Sequence, residues 1–260
     1  MAEELLKVLI IQSEINWKDT NANLNRYSSL LQTWDRQVDL ILLPEMFTTG
    51  FISTPDEVPE SMQKKTFAWM RQAASTRNCH IAGSMIVSED NAYYNRLICM
   101  HPSAESDTYN KRHLFRPEGE NELYARGLQR TISIIKGWRI CWQICYDLRF
   151  PVWSRYQGDY DVLVYVANWP AKRRNAWNTL LRARAIENQC YVLGVNRIGT
   201  DGNHISYQGD SSVIDPKGNR INDPDTGEEI LIYAELSYSA LTDYRKKFPV
   251  LYDADTFIIL

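Results

Sequence analysis

The chain has 260 residues, 44% hydrophobic and 23% charged, with a formal net charge of −3. That is enough chain for a substantial core and too little positive charge for broad phosphate neutralisation, since the longest basic cluster, Lys172-Arg173-Arg174, suits one small anion at most. No stretch approaches the roughly 18–20 apolar residues that cross a bilayer, the acidic start MAEELLKVLIIQSEINW is unlike an export signal, and five scattered cysteines fit no disulfide framework. These features point to a cytoplasmic protein with reduced thiols, without a nucleic-acid or membrane partner.

Elements are predicted in alternation. KVLIIQS (7–13) reads as a buried strand, and residues 19–34 as a helix capped by Asp19 or Asn21 with Leu24, Leu30, Leu31 and Trp34 near helical spacing. QVDLILLPE (37–45) is a second strand. A helix follows around 60–76, then strands near 80–88, 93–101 and 106–110 and an irregular segment over 112–130. TISIIKG and WRICWQIC form a strand pair, followed by a helix at 151–157, a strand at 160–169, a helix at 175–188 and a strand at 190–197. In the 175–188 helix Trp177, Leu181 and Ala185 make a core stripe. Two strands near 211–215 and 228–235 bracket DPKGN, and a helix near 238–245 precedes the tail. Continuous apolar strands such as LILL and VLVYV indicate sheets covered on both faces. Their alternation with helices indicates an α/β fold, and no linker or repeat divides residues 1–260, so one domain is expected.

Chemistry-bearing residues stand where apolar runs stop: Glu45 closes LILLPE, Lys111 closes DTYNK and Cys145 closes CWQIC. Sites in α/β sheets form beyond the carboxyl ends of strands, although each residue taken alone also fits a solvated turn or a packed strand end. The histidines offer Cys145 no obvious partner: His80 and His101 read as structural and His204 lies in a turn. Zinc is not expected either, because Cys141 and Cys145 lie on one strand with no second ligand pair.

The ordered segments LLPEMF, YNKRHLF and CYDLRFP resemble the nitrilase-like carbon–nitrogen hydrolases. ANWP, RARAIENQCYVLGVNRIG and YQGDSSVIDPKG extend the likeness over nearly the whole chain, and KRHLF…GE, ANWPAKR and YRKKFP look like the omega-amidase branch, which acts on 2-oxoglutaramate and related omega-monoamides. The resemblance implies a four-layer αββα sandwich of two mixed sheets flanked by helices, and a homodimer or larger homo-oligomer. It implies a catalytic set of Glu45, Lys111 and Cys145, with Glu120 as the further glutamate beside it.

The chemistry agrees. A free thiol titrates near ~8.5, so Cys145 needs a base; Glu45 can take its proton and return it to departing ammonia. Lys111 and the backbone N–H of Tyr146 would stabilise the oxyanion, and neither a metal nor an organic cofactor is required. A substrate carboxylate calls for a guanidinium, for which the branch pattern NWP-x-x-R offers Arg173, with Asn168 and Trp169 beside it in the substrate pocket. Arg149 is expected to form a structural ion pair with Asp147. One departure stands out: the family often has His directly before Trp177, where this chain has Ala176. A nitrile, an N-carbamoyl compound or another small amide would pass through the same thioester stage, and an inactive binding subunit is the rival outside catalysis.

Overall fold

A computed structural model describes residues 2–223 and 227–258. In chain order β1 (Leu5–Gln12) leads to α1 (Thr20–Thr33), where Asp19 is the cap and accepts the Ala22 N–H at 2.9 Å. Next come β2 (Leu40–Leu42), α2 (Glu60–Arg77), β3 (His80–Glu89), β4 (Ala92–Met100), β5 (Ser106–Asn110) and the short α3 (Glu120–Leu123). The second half runs β6 (Ile132–Ile135), β7 (Trp138–Ile144), α4 (Pro151–Ser154), β8 (Val162–Ala167), α5 (Arg174–Asn188), β9 (Tyr191–Asn196), β10 (Ile198–Thr200), β11 (Ser206–Gln208), β12 (Ser212–Ile214), β13 (Ile230–Ser237) and α6 (Tyr238–Lys247).

The strands form a six-stranded sheet, β13-β1-β2-β3-β4-β5, a five-stranded sheet, β12-β9-β8-β7-β6, and a separate β10-β11 hairpin. In each large sheet a parallel trio, β1-β2-β3 or β7-β8-β9, is flanked by antiparallel strands, so both sheets are mixed. Side chains alternate between the two faces of a strand, and the burial follows. Val8, Ile10, Leu40 and Leu42 face Ile140, Trp142, Val162 and Val164 across the space between the sheets. On the outer face of the first sheet Leu9, Ile11 and Ile41 meet Leu24 and Tyr27 of α1 and Met70 of α2. On the outer face of the second, Cys141, Leu163 and Val192 meet Trp177, Leu181 and Ala185, the predicted stripe of α5. The layers are therefore αββα. Burying each large aliphatic side chain contributes roughly 1.5–3 kcal/mol, and α5 approaches so closely that a Cβ at Gly194 would stand 2.5 Å from Leu181 Cδ1.

Local differences from the predicted elements have identifiable causes. The expected strand at 37–45 pairs only over Leu40–Leu42, because the Met46 N–H then turns onto Ser84 Oγ at 2.9 Å. The helix expected at 151–157 is a single turn. The β10-β11 hairpin lies in a stretch whose polar composition reads as loop; Asp201 organises its turn by accepting the N–H groups of Asn203 and Ile205 at 2.9 and 3.0 Å.

Candidate active site

Cys145 follows the last residue of β7 and opens a 3-10 turn, Cys145–Arg149, with φ of +43°. That left-handed conformation costs a non-glycine residue roughly 1–2 kcal/mol. Buried Asp147 holds the turn in place. Its Oδ2 accepts the Ile144 N–H at 3.0 Å and the Tyr109 hydroxyl at 2.7 Å, and its Oδ1 accepts the His113 N–H at 2.9 Å and faces His113 Nδ1 at 2.8 Å. The expected Arg149–Asp147 pair is therefore absent: those groups occupy both carboxylate oxygens, and Arg149 is exposed, its Cζ 5.0 Å from the centre of the Trp169 ring. Cys145 is half-buried, whereas Cys79, Cys99, Cys141 and Cys190 are buried free thiols.

Glu45 lies beyond β2 and is fully buried. Its Oε1 accepts from Lys111 Nζ at 2.9 Å and from Asn95 Nδ2 at 2.8 Å, and its Oε2 accepts the backbone N–H of Asn168 at 2.8 Å. Lys111 follows the end of β5 and is 1% exposed. Its ammonium also contacts Glu120 Oε1 at 3.1 Å and Oε2 at 2.9 Å. Glu120 is itself held by the Phe115 N–H at 2.6 Å and by Asn95 Nδ2 at 3.2 Å. An ammonium has three protons; with Glu45 and Glu120 engaged, one is left for a ligand.

The charges determine the resting protonation. Burial works to lower the Lys111 pKa, but the Glu120 and Glu45 charges outweigh burial and hold the pKa well above the ordinary lysine value. Burial pushes the Cys145 thiol up; the Glu45 charge adds to this, and Lys111 only partly opposes it, so the thiol is held well above its usual range. Burial also raises Glu120, against the pull of Lys111. With its pKa held above its usual range, the sulfur at neutral pH rests as a thiol beside Glu45.

These groups floor a cleft of about 420 Å³, its open mouth included, walled by the rings of Phe51, Phe115, Trp169 and Tyr207. The Tyr146 N–H sits in the first turn of the 3-10 segment, where a backbone donor has no partner within the helix. The cleft's charged side groups are Arg149, Arg173 and Glu118. Trp169 is anchored by its indole N–H on the Arg173 carbonyl at 2.9 Å and its backbone N–H on Asn196 Oδ1 at 2.8 Å. Asn168, expected to meet the substrate, lines the cleft and donates both its backbone N–H and its Nδ2 to Glu45, the latter to the Glu45 carbonyl at 2.6 Å. Its Oδ1 is buried without a protein partner.

The structure brings Glu45, Lys111, Glu120, Cys145 and Asn168 into one cluster, with Tyr146, Trp169 and Arg173 on the cleft wall. Sequence reasoning missed Asn95, the amide that bridges both glutamates. Its only signal was a polar residue inside the strand YYNRLICM. Away from the cleft, Cys99, His101 and Asp107 bring donor atoms within 4.8 Å of one another. Asp107 Oδ2 there already accepts from Ser133 Oγ at 2.5 Å and faces His101 Nε2 at 3.0 Å, so the protein satisfies that carboxylate by itself. Among the described residues, no helix is long and apolar enough to cross a membrane.

The carbon–nitrogen hydrolase family model matches residues 7–246. The chain is 44% identical to an omega-amidase (YafV) from Yersinia enterocolitica, covering 98% of this chain and 99% of that one. It is 30% identical to a 2-oxoglutaramate amidase from Bacillus subtilis, with 94% and 95% covered. It superposes with a TM-score of 0.95 on the crystal structure of a CN-hydrolase superfamily protein from Xanthomonas campestris that carries an arsenic adduct in its active site; identity there is 40%, over 99% of this chain and 100% of the other. The chain belongs to the carbon–nitrogen hydrolase family, and its fold is that of the nitrilase superfamily.

Proposed function

We propose that this carbon–nitrogen hydrolase is an omega-amidase, which cleaves a small omega-monoamide of a 2-oxo dicarboxylic acid, such as 2-oxoglutaramate, to the acid and ammonia. The observation that carries the reading is the buried Glu45–Lys111–Cys145 cluster opening on a cleft whose flanking cations are Arg149 and Arg173. Near-full-length similarity to proteins named for omega-amides supports the substrate class.

In the proposed reaction Cys145 Sγ attacks the amide carbon as Glu45 takes the thiol proton. The resulting oxyanion lies against the free Lys111 proton and the Tyr146 N–H, donors of a kind whose loss typically lowers turnover about 100- to 1000-fold. Collapse breaks the C–N bond, and Glu45 passes its proton to the departing nitrogen, which leaves as ammonia. Water, deprotonated by Glu45, then attacks the thioester and releases the acid with the thiol restored. Glu120 and Asn95 fix Lys111 and Glu45 in place, and Asn168 orients Glu45. These steps require no metal or organic cofactor.

The protein is read as one domain working in the cytoplasm, where its five free thiols would stay reduced, and as a homodimer or larger homo-oligomer, which sedimentation would test. The functional test is ammonia release from a panel of small amides that includes 2-oxoglutaramate, with Cys145→Ala as control. No release from 2-oxo monoamides beside brisk turnover of another amide would remove the substrate assignment. Acid quench during turnover should trap an acyl mass adduct on Cys145; an adduct on Cys141 would overturn the site.

A further inference from the structure

Two guanidinium groups border the cleft, and their surroundings differ. Arg173 lies with Cζ 5.2 Å from the centre of the Phe115 ring, and it shares the cleft with Glu118. Burial raises the Glu118 carboxyl, and the opposing pull on it comes first from Arg173, with Lys172 adding to it and Asp201 and Glu45 working the other way. Part of the Arg173 charge is therefore already answered by an acid of the protein, and that acid would repel an incoming carboxylate.

Arg149 has no such neighbour. It is the last residue of the 3-10 turn that begins with Cys145, and it is exposed at the cleft. Among the described residues no carboxylate lies within ion-pair distance of either guanidinium, and Arg149, unlike Arg173, is not among the charges that act most on Glu118. Its guanidinium lies 5.0 Å from the centre of the Trp169 ring, which is only 4% exposed and pinned at two nitrogens. A guanidinium over an aromatic ring still offers its N–H donors along its edge, in the geometry that grips a carboxylate bidentately. The same short turn that aims the sulfur at one end of the substrate thus carries a cation for the other.

We propose that Arg149, rather than Arg173, is the principal anchor for the substrate's distal carboxylate, with Arg173 in a supporting place tempered by Glu118. This rests on the omega-amidase reading, because it needs a substrate with an acid at its far end. It makes Arg149 a specificity-determining residue, with no part in bond making.

The test compares kcat/KM for succinamate, which ends in a carboxylate, with that for its neutral diamide, succinamide, in the wild type, Arg149→Met, Arg149→Lys and Arg173→Met. The ratio of acidic to neutral substrate should fall about 10- to 150-fold in Arg149→Met, the range of one charge-assisted hydrogen bond. Most of the fall should appear in KM, because the contact is the same in ground and transition states. Arg149→Lys should recover part of the ratio, and Arg173→Met should move it less. An unchanged ratio in Arg149→Met, an equal loss on both substrates, or a larger shift in Arg173→Met would overturn the proposal. A wild type without preference for succinamate would instead sink the omega-amidase reading, and this assignment with it.

Discussion

Replacing Glu120 by Gln tests the charge arrangement of the site with almost no change in shape. Both carboxylate oxygens accept from donors. Oε1 receives Asn95 Nδ2 at 3.2 Å and Lys111 Nζ at 3.1 Å; Oε2 receives the Phe115 N–H at 2.6 Å and Lys111 Nζ at 2.9 Å. Whichever oxygen becomes NH2, a donor then faces two donors. Asn95 cannot relieve this by turning over, because its Oδ1 accepts from Ser84 Oγ at 2.9 Å and its Nδ2 also serves Glu45 at 2.8 Å. Breaking a buried ion pair from one side costs about 3–5 kcal/mol. Lys111 keeps Glu45 at 2.9 Å, so the lower end applies, about 3 kcal/mol and a fall in Tm of roughly 6–12 °C for a chain of this size.

The same substitution removes one of the negative charges that hold the Cys145 thiol up. The thiol should become more acidic and react faster with iodoacetamide at pH 7.5. Turnover should nevertheless fall, because Lys111 loses a fixed partner. Differential scanning calorimetry, alkylation kinetics and ammonia release read the three effects separately. An unchanged Tm together with unchanged thiol reactivity would refute the charge argument, since a solvated Glu120 would give that result.

In the native protein, iodoacetamide should label Cys145 alone, at a rate still climbing above pH 9; a plateau below pH 8 would contradict the raised thiol pKa. Cys141, its pKa pushed up to about 12 by burial, should label only in denaturant. Asp161 is 1% exposed; burial works to raise its pKa, but Arg139, at 2.7 and 2.9 Å, wins with help from Arg245 and lowers it. A carboxyl depressed on folding contributes fully above its unfolded pKa of about 4 and loses the contribution as pH falls through the folded value. The stability gap between wild type and Asp161→Asn should therefore be flat near neutrality and narrow in urea titrations as pH falls below about 4. Gly194→Ala puts a Cβ 2.5 Å from Leu181 Cδ1 and 3.0 Å from Trp177 Cζ2; urea titration should show a loss of about 1–3 kcal/mol, with activity per folded molecule retained.

The parts of the fold that the sequence revealed are those with strong local signals. LILL and VLVYV are apolar on both faces because helices and a second sheet cover them, and the α5 stripe repeats at the helical period. The early end of β2 is set by Ser84, 38 residues away along the chain, which no local window contains; the β10-β11 hairpin is closed by Asp201 within its own turn, a local polar signal that hydrophobic periodicity does not pick up. The site divides in the same way. Glu45 and Cys145 could be picked out because each ends an apolar run, and Lys111, which follows the polar strand SDTYN, through the resemblance carried by YNKRHLF. Asn95 could not, because an isolated amide in a strand looks the same whether it bridges two carboxylates or faces water. The Asp147 error has the same origin. Sequence proximity suggested Arg149 as its partner, whereas Tyr109 and His113, folded back from the β5 end, are the groups that reach it.

The arrangement of charge also bears on why Glu45 is the proposed base. Two carboxylates and one ammonium leave the buried cluster with an excess of negative charge when both acids are ionised, and a thiolate would add to it in a medium that screens poorly. With little thiolate present at neutral pH, the proposed mechanism couples proton transfer from sulfur to C–S bond formation on the bound carbonyl. Glu45 suits that step: it faces the thiol, and Lys111, Asn95 and the Asn168 N–H hold its oxygens in place. A cysteine with a standing thiolate would react with any small electrophile that entered. Here, in the proposed mechanism, reactivity at neutral pH is greatest when an amide oxygen occupies the space between Lys111 and the Tyr146 N–H, so substrate recognition and activation of the nucleophile depend on the same contacts.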